Sequence, residues 1–417
     1  MSWKPRLIEP DEWQRALDVT AVVFGYGPTL DEAHRREVDP IYERDRTFVL
    51  EDGDTFVATA SAHSFELALP GGGALPMSGV SEVGVLPTHR RQGMLRALMD
   101  AVVDQALDRE EALAGLTASE ATIYRRFGFG PAVRFQSVSI DTRRVARTGL
   151  VAPPVGERAG VGGRIRFVAP TEAEGVQARV WGRHWRRYPG ELRRPDTWWA
   201  MTAVDPEEDR DGATPRFLVV HEDGDGQVDG YAAYRLKLSL VPGESTLVVI
   251  EVAAASDAVE AALIDWLLTV DLIHRVDWRA APPDLPLRWA VADSRAVQQT
   301  REGDHLWLRP LDVARCLASR RYTGSGGFVV EVLDGDRPPL GGRFRLDAGP
   351  GGADCERTDA AADLTVATAE LGSVLLGGVA WSTLARAGLV AEHTPGALAR
   401  ADALFRPERP PYNATHF

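Results

Sequence analysis

The stretch from Val83 to Leu98, VGVLPTHRRQGMLRAL, constrains the fold of this chain more than any other. VSEVGV at its start alternates and is rich in valine, as a strand does, and Pro87-Thr88 make a break. Beyond it, Met94, Leu95, Leu98, Met99, Val102, Val103 and Ala106 recur at helical spacing and predict a helix over 90–108 with a core-facing stripe. The opening of that helix breaks local rules. Arg90 and Arg91 in its first turn face the partial positive charge of a helix N-terminus, which opposes each by about 0.3–1 kcal/mol. Gly93 inside the helix costs about 1 kcal/mol relative to alanine. Rules broken together at one point indicate function. The compensating partner is an anion, held by open N–H groups and guanidinium forks. The alternative is an ordinary strand, turn and helix with solvated arginines.

At 417 residues the chain exceeds one compact core, and about 100–200 residues per domain predicts two to four domains. No run of about 18 apolar residues occurs, so no membrane span is expected. MSWKPRLIEPDEW lacks the basic and apolar regions of a secretory signal, which makes the cytoplasm the expected compartment. Cys316 and Cys355 are the only cysteines; they exclude a disulfide framework or Cys-rich zinc site and read as two buried thiols. The nine histidines show no ligand spacing such as H-E-x-x-H, and no metal is expected. A net charge of −13 disfavours nonspecific nucleic-acid binding and fits cationic partners or simple solubility.

Pattern predicts an α/β unit in the first 150 or so residues: a helix over 11–24, strands over 47–51, 55–65 and 75–85, the helix over 90–108, a strand over 113–118, a short helix over 121–127 and a closing strand over 133–140. The proline- and glycine-rich 151–163 reads as a linker. From Arg164 to about Pro310 the same plan repeats in degenerate form. Where the first copy has THRRQGMLRAL the second has ASDAVEAALIDWL, with an acidic start and neither arginines nor glycine, so it should not bind the anion. Both copies close with a strand and an arginine-containing segment, RFQSVSIDTRRV and DHLWLRPLDVARC. From Leu311 the texture changes to hairpin strands, GGFVVEVLDG, GGRFRLDAG and AADLTVATA, after a helix over 312–319 and before helices over 370–376 and 381–387.

Arg90 to Leu95 carry R-R-x-G-x-L, which resembles the acetyl-CoA signature of GNAT-type N-acetyltransferases. Ser119 to Ala132, SEATIYRRFGFGPA, resembles the S-E-x-x-I-Y-x-R-F-G-[YF]-G-P-A stretch of the enhanced intracellular survival (Eis) family, and the strand-rich C-terminal part resembles the sterol-carrier-protein-like domain that follows paired GNAT domains there. The resemblance implies an α/β (α+β) architecture: a catalytic GNAT domain over 1–155, a degenerate GNAT domain over 160–308, both with mixed sheets flanked by helices, and a sterol-carrier-protein-like α+β domain over 311–417.

It further implies acetyl-CoA as co-substrate and direct acetyl transfer to a small-molecule amine. The backbone of Val83, Gly84 and Val85 would meet the thioester carbonyl. Arg90, Arg91, Gln92, Gly93, Met94, Leu95 and Arg96 would hold the pyrophosphate, and Ser119 and Glu120 would contact the pantetheine, with Ser119 alternatively capping the next helix. Tyr124, at the start of the short helix, matches the general acid for the thiolate: a phenol near pKa 10 and a thiol near about 8.5 exchange a proton once positioned. The α-carboxylate of Phe417 matches the family's base, provided burial raises it from about 3.5. Aminoglycoside, polyamine or lysine-type amines are the implied acceptors, and a homo-oligomer, commonly a hexamer, the implied assembly.

Two features depart from polycation-acetylating members. His416 stands where an acid precedes the terminal phenylalanine, and Phe24 with Tyr26 makes the acceptor wall aromatic. Asp31, Glu32 and Glu37 could supply carboxylates or simply form a solvated helix face. Trp181, Trp185, Trp198 and Trp199 could line the acceptor cleft or pack a core. The rival functions are an acyl-CoA-binding sensor without turnover and a lipid carrier or scaffold acting through the C-terminal domain.

Overall fold

The computed structural model describes residues 3–29, 31–148, 162–241 and 243–417, so all of the expected linker except Gly162 and Gly163 lies outside the described residues. The chain forms two bodies, one of Met1–Val133, Tyr188–Leu192 and Asp304–Phe417, the other of Arg134–Arg187 and Arg193–Gly303.

The first body opens with strands β1 (Arg6–Leu7), β2 (Phe48–Asp52), β3 (Thr55–Ala68), β4 (Ala74–Val85), β5 (Leu113–Thr117) and β6 (Gly130–Pro131), and helices α1 (Trp13–Phe24), α2 (Glu32–Val38), α3 (Met94–Asp108) and α4 (Ala121–Tyr124). The apolar stripe of α3, including Leu98, Met99, Val102 and Val103, is buried against one sheet face with Val57, Val80 and Leu116. Ala16, Leu17 and Val19 of α1 pack with Val49 and Phe56 in a separate cluster. Burial of such stripes, more than helix propensity, holds these helices in place.

The second body carries β7 (Arg134–Asp141), β8 (Arg164–Phe167), β10 (Phe217–Glu222), β11 (Val228–Lys237), β12 (Thr246–Ala254), β13 (Arg275–Ala281) and β14 (Val297–Asp304), with α5 (Thr142–Thr148), α6 (Pro170–His184), α7 (Asp196–Val204), α8 (Asp257–Leu267) and α9 (Leu287–Ala290). The short β9 (Leu192–Arg193) pairs with β3. The remainder of the first body is β15 (Leu306–Pro310), α10 (Val313–Ser319), β16 (Gly326–Leu333), β17 (Gly342–Gly349), β18 (Gly352–Arg357), β19 (Leu364–Ala367), α11 (Thr368–Val374), α12 (Trp381–Arg386), β20 (Val390–Glu392) and α13 (Ala397–Phe405).

Strand order departs from the expectation that each copy closes its own sheet. The first sheet runs β1-β2-β3-β4-β5-β15-β6, and the second β14-β7-β13-β12-β11-β10-β8. The strand expected over 133–140 therefore exists as β7 but pairs with β13, Val276 opposite Ile140. Its place in the first sheet is taken by β15, with Trp307 opposite Leu116 and Leu308 opposite Gly115. The physical reason is burial: every residue of LWLRP in β15 is buried, which suits a strand with neighbours on both edges.

The C-terminal sheet runs β18-β17-β16-β19-β20. Phe328, Trp381 and Phe405 fill its helix-covered side, with the Trp381 ring centre 5.7 Å from Phe328 and 5.1 Å from Phe405. The strands β18 and β20 and the helix α13 have no counterpart in the sequence expectation. Cys316 is buried as expected, but Cys355, on β18, is only partly so.

Candidate active site

A cleft of about 730 Å³ opens between β4, the start of α3 and the turn carrying α4. Two strand features create it. The parallel pairing of β4 with β5 runs from Met77/Leu113 to Gly79/Gly115 and goes no further, so the two strands part beyond Gly79. On the other edge of β4 the register with β3 shifts between Thr59 and Ser61, and Glu82, the extra residue, has a left-handed φ of 52°. A bulge of this kind bends a strand and re-aims the residues beyond it. Val83, Gly84 and Val85, the expected carbonyl-polarising segment, come directly after the bulge and line the cleft. Burial pushes the Glu82 carboxyl above the usual carboxylate range, with Thr20 opposing the shift. Nothing in the sequence marks Glu82, because an acid within an alternating strand looks like an exposed position.

The helix does not begin at Arg90. It begins at Met94, with Gly93 as N-cap at φ 84°. Arg90 is extended and Arg91 left-handed at φ 64°, both in the loop ahead of the helix. Gly93 thus carries no interior-helix penalty; it supplies a conformation that L-residues resist. Gly93 has no side chain to cap this end of α3, and the residues of its first turn border the cleft. With alternate left-handed residues before it, the loop forms the kind of backbone concavity that takes an anion. Arg90, Arg91, Gly93, Met94, Leu95 and Arg96 all line the cleft, while Gln92 is an exposed loop residue between them. Arg96 is not wholly available: its Nη1 lies 2.5 Å from Asp336, and its guanidinium sits over the Phe127 ring at 5.1 Å.

On the opposite wall stand Ser119, Glu120, Ile123, Tyr124, Arg126 and Phe127. Tyr124 ends α4, contrary to the expectation that it starts it. Neither Ser119 nor Glu120 caps that helix with its side chain. Ser119 and Tyr124 line the same wall of the cleft. Tyr124 is buried, and burial with the nearby Glu120 charge raises its pKa, which keeps the phenol protonated in neutral solution. The turn is held from behind by an ion pair of Arg125 with the buried Glu370 of α11.

Phe417 reaches the same strand end. Thr117 Oγ1, the last residue of β5, donates to the Phe417 O at 2.9 Å. The terminal ring lies 4.9 Å from Phe65 and meets His63 edge-on at 6.3 Å. It also lies against Gly79, where any Cβ would come within 3.0 Å of it. His63 is buried, and burial lowers its pKa, so a neutral imidazole adjoins the terminus. The tail leading there is anchored by Tyr412 N to Pro189 O at 2.8 Å, Asn413 Nδ2 to Gly190 O at 2.7 Å, and Ala414 N to Glu191 at 3.0 Å. Thr117, His63, Phe65 and Glu191 were not among the sequence candidates, since nothing local marks residues whose partner lies hundreds of positions away.

Acidic residues near the Phe24 wall are committed to their own helix. Asp31 caps α2 through Ala33 N and His34 N, and Glu32 pairs with Arg36. In the second body the helix corresponding to α3 is capped by Ser256, which accepts from Val259 N, and starts with Asp257 and Glu260. That end carries its own side-chain cap and two acids where α3 is preceded by arginines. Trp181, Trp185, Trp198 and Trp199 are all buried.

Comparison with known proteins identifies the domains that carry this cleft. Residues 4–132 and 190–310 each match an acetyltransferase (GNAT) domain family, and residues 313–414 match the sterol carrier protein domain family. An uncharacterised N-acetyltransferase of Streptomyces avermitilis is 35% identical over 408 residues, 97% of either chain. The N-acetyltransferase Eis of Mycobacterium tuberculosis is 34% identical over 422 residues, 98% of either chain. The crystal structure of Eis1 from Mycobacterium abscessus superposes with a TM-score of 0.85 at 32% identity, covering 100% of both chains. A GCN5-related N-acetyltransferase from Kribbella flavida, 22% identical, shares the fold with a TM-score of 0.78, covering 100% of this chain and 98% of its own.

Proposed function

We propose, on the premise that this chain belongs to the Eis family of GNAT N-acetyltransferases, that it moves the acetyl group of acetyl-CoA directly onto a primary amine in its first domain. Chemistry is assigned to residues 1–155; residues 160–308 form the degenerate copy, and residues 311–417 supply the terminus.

Arg90, Arg91 and Arg96, with the backbone N–H groups of Gln92, Gly93, Met94 and Leu95, hold the pyrophosphate. Ser119 and Glu120 flank the pantetheine. A backbone N–H of Val83–Val85 polarises the thioester carbonyl. The Phe417 carboxylate removes a proton from the acceptor ammonium or amine, the new C–N bond forms as the C–S bond breaks, and Tyr124 gives its proton to the departing thiolate. The observation that carries this reading is that the end of β5 leads to both proton-handling groups: Thr117 hydrogen-bonds Phe417, and the segment directly after it, with Ser119, Glu120 and Tyr124, lines the cleft beside the loop arginines.

Acceptors are expected among aminoglycoside-like, polyamine and lysine-type amines. With Asp31 and Glu32 engaged within α2, the wall near Phe24 favours lysine-type and other weakly cationic amines. The test is thiol release from acetyl-CoA across a panel of these amines, for the intact chain and Tyr124→Phe. Turnover with some amines that drops in the variant by about 100-fold or more, at unchanged acetyl-CoA affinity, is expected. Silence across the panel, or a variant as fast as the parent, contradicts the reading.

A further inference from the structure

The cleft of the first domain holds a cation that the pyrophosphate does not account for. Arg126 lines it from the wall opposite the loop arginines, on the turn that follows α4, and is exposed. The guanidinium groups around it have acid partners: Arg125 pairs with Glu370, Arg96 with Asp336, and Arg309 with Asp334 and Asp336. Arg126 makes no ion pair or hydrogen bond with any of the described residues. Its guanidinium rests over the Phe127 ring, 5.1 Å from the ring centre, and Arg96 in the first turn of α3 lies at 5.1 Å from the same centre. The shared ring brings the Arg126 charge to the corner of the cleft where α3 begins. Among the described residues that line the cleft, Glu120 is the one acid, on a chain of net charge −13.

Coenzyme A carries three phosphates. The loop ahead of α3 and its N–H groups are assigned to the two of the pyrophosphate. The third is a monoester at the 3′ position of the ribose that bears the pyrophosphate, and at neutral pH it holds a charge of about −1.5 to −2. A guanidinium fork matches the oxygens of such a group in a two-pronged hydrogen bond, and a fork already laid on an aromatic ring loses little freedom in forming it.

From these observations we infer that Arg126 binds the 3′-phosphate of coenzyme A and makes the cleft select coenzyme A over its 3′-dephospho form. The inference deepens the reading of this cleft as the acetyl-CoA site and rests on it.

The test is calorimetric titration of the full chain with coenzyme A and with 3′-dephospho-coenzyme A, for the parent and for Arg126→Gln, a neutral side chain that reaches toward the Phe127 ring. The parent is expected to bind coenzyme A more tightly than the dephospho form by about ten-fold or more, the scale of a charged hydrogen bond. Arg126→Gln is expected to erase that preference by weakening coenzyme A alone, and its retained affinity for the dephospho form shows that the cleft is still folded. Absence of a preference in the parent, a preference that survives the substitution, or equal weakening of both ligands in a variant with the parent's circular dichroism spectrum would overturn the inference. Binding of neither form by the parent would overturn the acetyl-CoA reading itself, and this inference with it.

Discussion

Arg91 and Gly93 share a left-handed backbone but for opposite reasons, and substitution separates them. Gly93 at φ 84° has open space where a Cβ would go, so Gly93→Ala costs only backbone strain, about 1 kcal/mol, read as a lower urea midpoint. Arg91 already bears that strain at φ 64°. Arg91→Gly is expected to raise stability by about 1 kcal/mol while raising the KM for acetyl-CoA several-fold; a loss of stability with unchanged KM would contradict a phosphate-holding role. Acid sensitivity is also set by single residues. Burial lowers the His305 pKa to about 4. Because the unfolded chain binds the proton first, His305 contributes stability that is present above about 6.5 and is lost as pH falls toward 4. His305→Gln should flatten the dependence of Tm on pH in that window. At this scale the sequence was legible where residues act locally. The loop arginines, Gly93, Ser119 and Tyr124 all line one cleft, whereas Glu82 could not be singled out, because a left-handed bulge residue leaves no mark on an alternating pattern.

Among the elements, position and periodicity marked most helices and strands, but pairing did not follow from them. RFQSVSID and LWLRP each read as the closing strand of the copy that precedes it, yet β7 joins the second sheet and β15 the first. A two-residue alternation says which face is buried and nothing about which neighbour is hydrogen-bonded. The tail was similarly half-legible. The family resemblance singled out Phe417 at its end, while the strap that receives it, Tyr188–Leu192, lies far away in sequence and belongs to the same body as the first domain. Glu191 is the centre of that strap, accepting from Ala414 N and Thr415 Oγ1. Glu191→Ala is expected to loosen the tail and lower kcat with an unchanged Kd for acetyl-CoA. An unchanged kcat would separate tail docking from turnover.

Over the whole chain, the C-terminal domain is tied to the first by a buried charge cluster. Arg309, fully buried, pairs with Asp334 at 3.2 Å and Asp336 at 2.7 Å, and Asp336 also receives Arg96 from α3. Arg337 from the same loop pairs with Asp100 and Asp104 of α3. Asp336→Ala leaves Arg309 with Asp334 alone and removes a charged hydrogen-bond partner from a buried guanidinium, so it should lower unfolding stability by about 2 kcal/mol, measured by urea denaturation. The domain that ends in Phe417 is thus fastened to the helix proposed to hold the cofactor, a link no local motif encodes. The central claim is that the carboxylate of Phe417 is the base. The most direct measurement is kcat for acetyl transfer to a lysine-type or aminoglycoside amine by the intact chain and by one lacking Phe417, with the acetyl-CoA Kd of both. The account predicts that kcat collapses on deletion while Kd and the circular dichroism spectrum stay the same; full activity without Phe417 would contradict it.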